Sequence, residues 1–287
     1  MKSLIHNILL KLSLSRPYSI VNIILISIIT LFLIDKNATM DKILLVSITG
    51  TLFWISGIYF LEFLHKQIDG RKKLVQNYYS VLPLVCLFII LLIIKPLSVF
   101  FIPLAIISTK LYSLKTHDSK ISHLFFLFRP FVEITIILTI YFSYSDFYNV
   151  AQIIPYILAV YFLSLSRNLI GDIRDVDFDK YTLPKIIGVN KTYYLSFIFL
   201  LFAFVFLPNI IIQVPLIFTG LLILFKINSY ALHRIFILTT TFFLAFYLST
   251  ITSEFYLILL LIFLSFILNY TYGITPRKSN VSKPAWL

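Results

Sequence analysis

Apolar runs alternate with short charged breaks along the whole chain. Because the hydrocarbon core of a bilayer is about 30 Å thick, an α-helix needs about 20 residues to cross it. The breaks predict ten such helices, over residues 18–35, 43–65, 79–95, 97–113, 122–144, 150–171, 192–208, 209–227, 230–250 and 254–272. Two pairs are separated only by Lys95-Pro96 and by Pro208-Asn209, which is typical of a tight turn between neighbouring helices. The pattern predicts an all-α, polytopic membrane protein.

The composition agrees with this pattern. The chain is 60% hydrophobic and 13% charged, whereas a soluble domain carries about 25% charged residues. The first run begins near Tyr18 after three basic residues, and no small-residue cleavage site follows it, so it predicts a retained span. The only cysteine, Cys86, excludes disulfides within the chain and thiolate metal sites. Without linkers or a separate polar segment, we expect a single transmembrane domain over residues 1–287.

The net charge of +12 follows from where the basic residues fall. With the N-terminus in the cytoplasm, twenty of the 24 lysines and arginines lie in cytoplasmic segments. Three lie in outer segments (Lys36, Lys42 and Lys95), and Arg129 lies within a span. This asymmetry follows the positive-inside rule. It explains the basic balance without a nucleic-acid partner, and it predicts that both termini are cytoplasmic.

An acidic segment follows the sixth run. The stretch GDIRDVDFDKYTLPKIIG holds four of the twelve acidic residues of the chain. Asp172, Asp175 and Asp179 are spaced i, i+3, i+7, so on a helix they line one face, which Asn168 extends one turn back. Asp177 falls off this face, and we expect it to meet solvent or a basic loop. Three carboxylates on one face repel one another unless cations neutralise them. A solvated helix end is the alternative interpretation.

A second acidic stripe with the same spacing lies at the end of the second run. Glu62, His65 and Asp69 in LEFLHKQID are again at i, i+3, i+7, and both stripes are predicted to reach the cytoplasmic face. Carboxylate oxygens suit magnesium, which often shares its coordination sphere with substrate phosphates. Basic residues accompany both stripes, namely Lys66, Arg71, Lys72, Lys73, Arg174 and Lys180. We interpret the two stripes as one metal–diphosphate site; for the basic residues alone, membrane topology and lipid headgroups are the alternative.

At these residues the sequence resembles the UbiA-type intramembrane prenyltransferases. DIRDVDFDK, TLP and KIIG are similar to the second aspartate-rich motif of that family, with Asp172, Asp175, Asp179 and Lys180 on matching positions. Fewer residues than the family usually has separate the last aspartate from TLP. The stretches SLSRPYSIVN and LYSLKT, the latter with Lys115, resemble two shorter elements of the family.

The resemblance implies a UbiA-type bundle of about nine or ten transmembrane helices. It implies transfer of a prenyl group from a polyprenyl diphosphate to a lipid-soluble acceptor, with Mg2+ as the cofactor and membrane lipids as surroundings. The implied catalytic residues are Asp69, Asp172, Asp175 and Asp179. The implied metal ligands are Glu62, Asp69, Asp172, Asp175 and Asp179, and the implied diphosphate-binding residues are Lys66, Arg71, Lys115, Arg174 and Lys180.

The first stripe departs from the family pattern N-D-x-x-D-x-x-x-D. Here Leu61 stands for the asparagine, Glu62 lengthens one aspartate, His65 replaces another, and Asp69 is kept. Imidazole suits zinc, iron or copper better than magnesium. His65 is therefore either a protonated contact for phosphate or a sign that the first metal site is weakened or absent.

Four other functions compete with prenyl transfer. A non-catalytic relative that kept the fold and one stripe would explain the altered first motif. Terpene cyclisation and phosphoribosyl transfer are neighbouring activities in the same family. A cation-coupled transporter would favour carboxylates near the bilayer midplane and helices broken by glycine or proline, which fits less well with stripes at helix ends and only seven glycines.

Further polar residues lie in or beside the apolar runs. Arg129 and Glu133, at i, i+4 in the fifth run, form either a functional pair or a self-neutralising structural one. Arg167 either helps to orient Asp172 or faces lipid headgroups. His233 is interpreted as a loop residue.

Overall fold

The part of the chain that the structure describes forms eleven α-helices and no strand. The structure is a computed structural model, and it describes residues 16–69, 77–116, 121–145, 150–177, 182–207, 209–270 and 272, with the backbone alone at 65–69, 77–80, 116, 122, 210 and 211. The helices are α1 (Ile20–Ile34), α2 (Met40–Asp69), α3 (Asn77–Ile94), α4 (Phe101–Ser113), α5 (Phe131–Tyr144), α6 (Ile154–Arg174), α7 (Leu183–Ile187), α8 (Val189–Phe206), α9 (Ile210–Leu224), α10 (Ser229–Ile251) and α11 (Phe255–Asn269).

Each of the ten predicted apolar runs overlaps one of these helices, and α7 is a short additional one. Seven apolar stretches among the described residues have the length and composition to cross a membrane. The apolar parts of α3, α9 and α11 are shorter, at 81–94, 212–224 and 255–269. The prediction of an all-α, multi-pass membrane protein is confirmed, although helix length alone does not establish ten complete crossings.

Helices α1 and α10 lie inside the bundle. Helix α1 packs against α2, α5 and α10, and α10 also contacts α6, α9 and α11. In a bilayer, helices associate through close van der Waals packing, which small residues permit. Gly50 of α2 is such a residue, because a Cβ atom there would lie 2.1 Å from the Ser27 Oγ of α1. The close contact of two antiparallel helices brings the beginning of α1 beside the end of α2.

The fifth predicted run is not one continuous helix. Residues Ser122–Phe128 form a 3-10 helix, and α5 begins only at Phe131, after Arg129 and Pro130. Arg129 and Pro130 keep right-handed helical dihedral angles, but proline has no backbone N–H to continue the helical hydrogen bonds, so the change from 3-10 helix to α-helix falls at this dipeptide. As a result, Arg129 lies at the beginning of α5.

Helix α6 ends before the last aspartate of the acidic stripe, so the stripe does not lie on one helix as the spacing predicts. Arg174 is its last residue, and Asp175 is the C-cap with φ −97° and ψ 10°. The N–H of Asp175 still bonds the Gly171 carbonyl at 3.1 Å, but that of Val176 bonds Ile173 instead, as in a 3-10 turn. Only Asp172 and its neighbours on the first part of the stripe therefore share a helical face.

Candidate active site

Three carboxylates of the predicted site lie at one end of the bundle, and each contacts a basic side chain. In an up-and-down bundle the beginning of α1 and the ends of α2, α4 and α6 face the same side. The pairs formed there are Arg16–Glu62, Lys115–Asp172 and Arg174–Asp175. Three positive and three negative side chains thus lie at this end of the bundle, and we call them the charged cluster.

The Lys115–Asp172 pair is the most deeply buried of the three. The Lys115 Nζ donates to Asp172 Oδ1, and the two side chains are 8% and 4% exposed. The Tyr112 hydroxyl donates to Asn168 Oδ1 at 3.1 Å, one helical turn before Asp172. The Lys115 ammonium also lies 5.2 Å from the centre of the Tyr112 ring, where a cation is attracted to the aromatic face. These contacts join the end of α4 to the end of α6.

The Asn168 side chain leaves its NH2 group, which carries two N–H donors, available beside this pair. Its Nδ2 is buried and has no hydrogen-bond partner among the described residues. A buried polar group without a partner costs about 1–3 kcal/mol. The position therefore favours a ligand with an acceptor oxygen.

Arg16 contacts the first stripe and lies near Arg174 at the second. Its guanidinium donates to Glu62 Oε1 at 3.4 Å. Burial opposes the charge of Arg16, but Tyr18, Glu62 and Tyr112 favour it more strongly, so the pKa of Arg16 is raised. The like charge of Arg174 acts against this shift, because the two guanidinium groups are neighbours. Arg16 therefore lies between Glu62 of α2 and the end of α6.

The backbone of Arg16 is unusual. Its φ of 52° and ψ of 57° are left-handed, and it precedes Pro17, the first residue of the short 3-10 turn before α1. A non-glycine residue in this region costs about 1–2 kcal/mol, so contacts of the Arg16 side chain help to keep it there.

Arg174 has partners on three parts of the chain. Its Nε donates to Asp175 Oδ1 at 2.8 Å, and its Nη2 donates to Asp175 Oδ2. Its Nη1 lies 3.0 Å from the Tyr272 hydroxyl and 3.3 Å from His233 Nδ1. The guanidinium therefore holds Asp175 in the two-pronged geometry typical of arginine–carboxylate pairs.

A second charged group lies deeper in the bundle. Glu133 Oε2 accepts from Arg129 at 3.0 Å, and Glu133 Oε1 accepts from Arg167 at 3.1 Å and from Ser164 at 3.3 Å. The Arg129 guanidinium also lies 4.8 Å from the centre of the Trp54 ring. The predicted pair between Arg129 and Glu133 is confirmed, and it is part of a triad with net charge +1.

An apolar cavity opens between α2, α3, α4 and α5. Its volume is about 290 Å³, and Phe53, Leu87 and Ile102 are among the side chains that line it. Gly57 and Thr109 belong to its wall and also to the wall of a smaller cavity that reaches Arg129 and Tyr112. The apolar space therefore borders the residues that surround the charged cluster.

Several predicted site residues lie outside what the structure describes. The side chains of His65, Lys66 and Asp69 are not described, although the backbone of α2 includes all three. Arg71, Asp179 and Lys180 lie outside the described ranges altogether. If the two stripes form one site, Glu62 or Asp69 should approach Asp175 or Asp179, and this stays a prediction.

The donors of the cluster suit magnesium by their chemistry, since they are carboxylate oxygens. Within the described part of the chain, however, no three carboxylate, imidazole or thiol groups converge. A complete metal site would need ligands from Asp69 or Asp179 in addition to Glu62, Asp172 and Asp175.

One of the two alternatives for Arg167, lipid headgroups, and the interpretation of His233 as a loop residue are wrong. Arg167 faces the interior and Glu133, not lipid headgroups, and His233 lies within α10, not in a loop. The sequence reasoning also missed Tyr272, which contacts Arg174. Asp177 is exposed, as expected. The sequence did contain a signal that His233 belongs to the site. His233 lies at the predicted cytoplasmic end of an apolar run, where the other site residues also lie.

No protein-family model and no curated protein matches this sequence. Solved structures do match it. A UbiA homolog from Aeropyrum pernix K1 is 12% identical, with a TM-score of 0.55 over 89% of this chain and 95% of that chain. A UbiA homolog from Archaeoglobus fulgidus is 16% identical, with a TM-score of 0.52 over 90% of this chain and 98% of that chain. Both cover nearly the whole helical bundle, so this chain has the fold of the UbiA homologs, an all-α membrane bundle.

Proposed function

We propose that this protein is an intramembrane prenyltransferase. It would bind a polyprenyl diphosphate at the charged cluster and transfer the prenyl group to a lipid-soluble acceptor. The observation that carries the proposal is the set of three carboxylate–cation pairs at one end of the bundle, close to an apolar cavity. A prenyl diphosphate has the matching chemistry, because it joins a multiply charged head to a hydrocarbon chain.

Binding would exchange the partners within the cluster. Arg16, Lys115 and Arg174 can donate to phosphate oxygens, and charge-assisted bonds of this kind are strong. The carboxylates they release would be Glu62, Asp172 and Asp175, which with Asp69 and Asp179 would hold magnesium. Bound magnesium would supply positive charge to the departing diphosphate. In the absence of ligand, the internal pairs keep the buried charges neutralised.

The cavity is large enough for part of the hydrocarbon chain. An apolar cavity of about 150 Å³ binds benzene, so a volume of about 290 Å³ would hold a segment of roughly twice that size. In the reaction, the bond between the allylic carbon and the diphosphate oxygen breaks with its electron pair going to oxygen. The allylic carbon then bonds the acceptor, which loses a proton.

The test is release of inorganic diphosphate by the purified protein. Dimethylallyl, geranyl and geranylgeranyl diphosphate are each incubated with the protein, with and without magnesium. Release that needs both magnesium and Asp175 supports the proposal, with Asp175→Ala as the inactive variant and the exposed Asp177→Ala as its matched control. Folded wild-type protein that releases no diphosphate from any donor would leave the non-catalytic relative as the better description, in keeping with His65 in the first stripe.

We also propose that both termini are cytoplasmic, which places the charged cluster at the cytoplasmic face. The support is the distribution of basic residues and the ten apolar helices, an even number. A reporter that works only in the cytoplasm should be active when it is fused to the C-terminus. If a reporter that works only on the opposite side of the membrane is active there instead, one of the short helices α3, α9 or α11 does not cross the membrane.

A further inference from the structure

Tyr272 and His233 surround one nitrogen of Arg174. The Arg174 Nη1 lies 3.0 Å from the Tyr272 hydroxyl, and that hydroxyl lies 2.9 Å from His233 Nδ1. A guanidinium can only donate hydrogen bonds, so the Tyr272 oxygen accepts from Arg174. The Tyr272 hydroxyl can therefore donate its hydrogen to His233 Nδ1. In a neutral His233 the ring proton is then on Nε2.

The position of the Tyr272 hydroxyl is fixed by packing. Tyr272 is fully buried, and its ring centre lies 5.1 Å from that of Tyr18, 5.4 Å from that of Tyr230 and 5.7 Å from that of His233. Gly171 of α6 lies against the His233 ring, since a Cβ atom there would be 3.4 Å from it. The segments before α1 and after α11 therefore meet α6 and α10 at this hydroxyl.

We propose that Tyr272 and His233 are positioning residues, which hold the Arg174 guanidinium in the orientation that the candidate site needs. This inference rests on the proposed function. The two other nitrogens of Arg174, Nε and Nη2, bind Asp175. If Asp175 binds a cation instead, Nε and Nη2 can donate to a phosphate oxygen, while Nη1 still donates to the Tyr272 hydroxyl. Tyr272, three residues beyond the end of α11, is thereby part of the diphosphate site.

The experiment measures the affinity of the full-length protein for inorganic diphosphate, with magnesium present, by isothermal titration calorimetry. Tyr272→Phe keeps the ring and its aromatic contacts but removes the hydroxyl. We expect it to weaken binding about tenfold, which corresponds to about 1.4 kcal/mol. We also expect His233→Leu to weaken the binding of diphosphate. Thr241→Val is the matched control in α10, because Thr241 bonds Asn22 and Ser265 away from Arg174, and it should bind like wild type.

A double-mutant cycle separates positioning from general damage to the fold. If Tyr272 acts through Arg174, then Tyr272→Phe should add little to the loss caused by Arg174→Gln. Wild-type affinity in Tyr272→Phe, or losses that add in full, would overturn the inference. Protein that binds diphosphate in this coupled way but releases none from prenyl donors would support the inference and overturn the enzyme proposal. Wild-type protein without affinity for diphosphate would overturn both.

Discussion

Asp175→Ala is expected to lower the rate of diphosphate release at least a hundredfold. Asp175 is the carboxylate that Arg174 holds at the end of α6, and it matches a position of the second aspartate-rich motif. In a partly dry site, one charge–charge interaction is worth several kcal/mol. Since about 1.4 kcal/mol changes a rate tenfold, the loss of one carboxylate readily accounts for a hundredfold effect.

The matched control for this change is Asp177→Ala. Asp177 lies two residues further on and is exposed, so its loss removes the same charge from the same segment without touching Arg174. We expect the rate of Asp177→Ala to stay within a few fold of wild type. Equal losses in the two variants would show that the segment responds to net charge alone, and would remove Asp175 from the site.

His65 provides a second comparison within the same assay. His65→Ala should cost less than Asp175→Ala, because an imidazole contributes little to a magnesium site. His65→Asp introduces the aspartate that stands at this position in the motif that the first stripe resembles, and it should maintain or raise magnesium-dependent release. If His65→Ala were as damaging as Asp175→Ala, His65 would be a direct contact for the diphosphate.

Sequence reasoning predicts the helices well because the bilayer imposes one length and one polarity on every span. A break such as Arg129-Pro130 is less visible. The residues on both sides of it are apolar, and only the backbone chemistry of proline ends the continuous helix. The early end of α6 at Arg174 is of the same kind, since the spacing of the aspartates continues past the last helical residue.

The partners of the site residues are harder to predict than the residues themselves. The aspartates of the second stripe could be identified from their spacing, but Lys115 meets Asp172 only because α4 and α6 both pack against α5. Tyr272 carries no signal in the sequence, because one tyrosine among 18 has no distinguishing neighbours. Its importance depends on where α10 and α11 bring it, which is a property of the tertiary structure.

The triad of Arg129, Glu133 and Arg167 leads to the largest expected effect on stability. The three side chains are 10%, 2% and 13% exposed, and one carboxylate serves both guanidinium groups. Glu133→Gln would leave two neighbouring cations without their shared anion. Removing one partner of a buried ion pair costs about 3–5 kcal/mol, so we expect a loss of folding free energy of about that size.

Arg129→Gln should cost less than Glu133→Gln, although both remove one charge from the same group. The remaining Arg167–Glu133 pair is neutral, whereas Glu133→Gln leaves two like charges together in the bundle. Arg129→Gln then loses the hydrogen bond to Glu133 and the contact with the Trp54 ring, which together are expected to cost about 2–3 kcal/mol. Unfolding in detergent micelles, with the exposed Glu254→Gln as the matched carboxylate-to-amide control, would measure the difference. Equal costs for Glu133→Gln and Arg129→Gln would contradict this expectation and would indicate that a further anion balances the net charge of the triad. With such an anion, each of the two changes would leave one uncompensated charge.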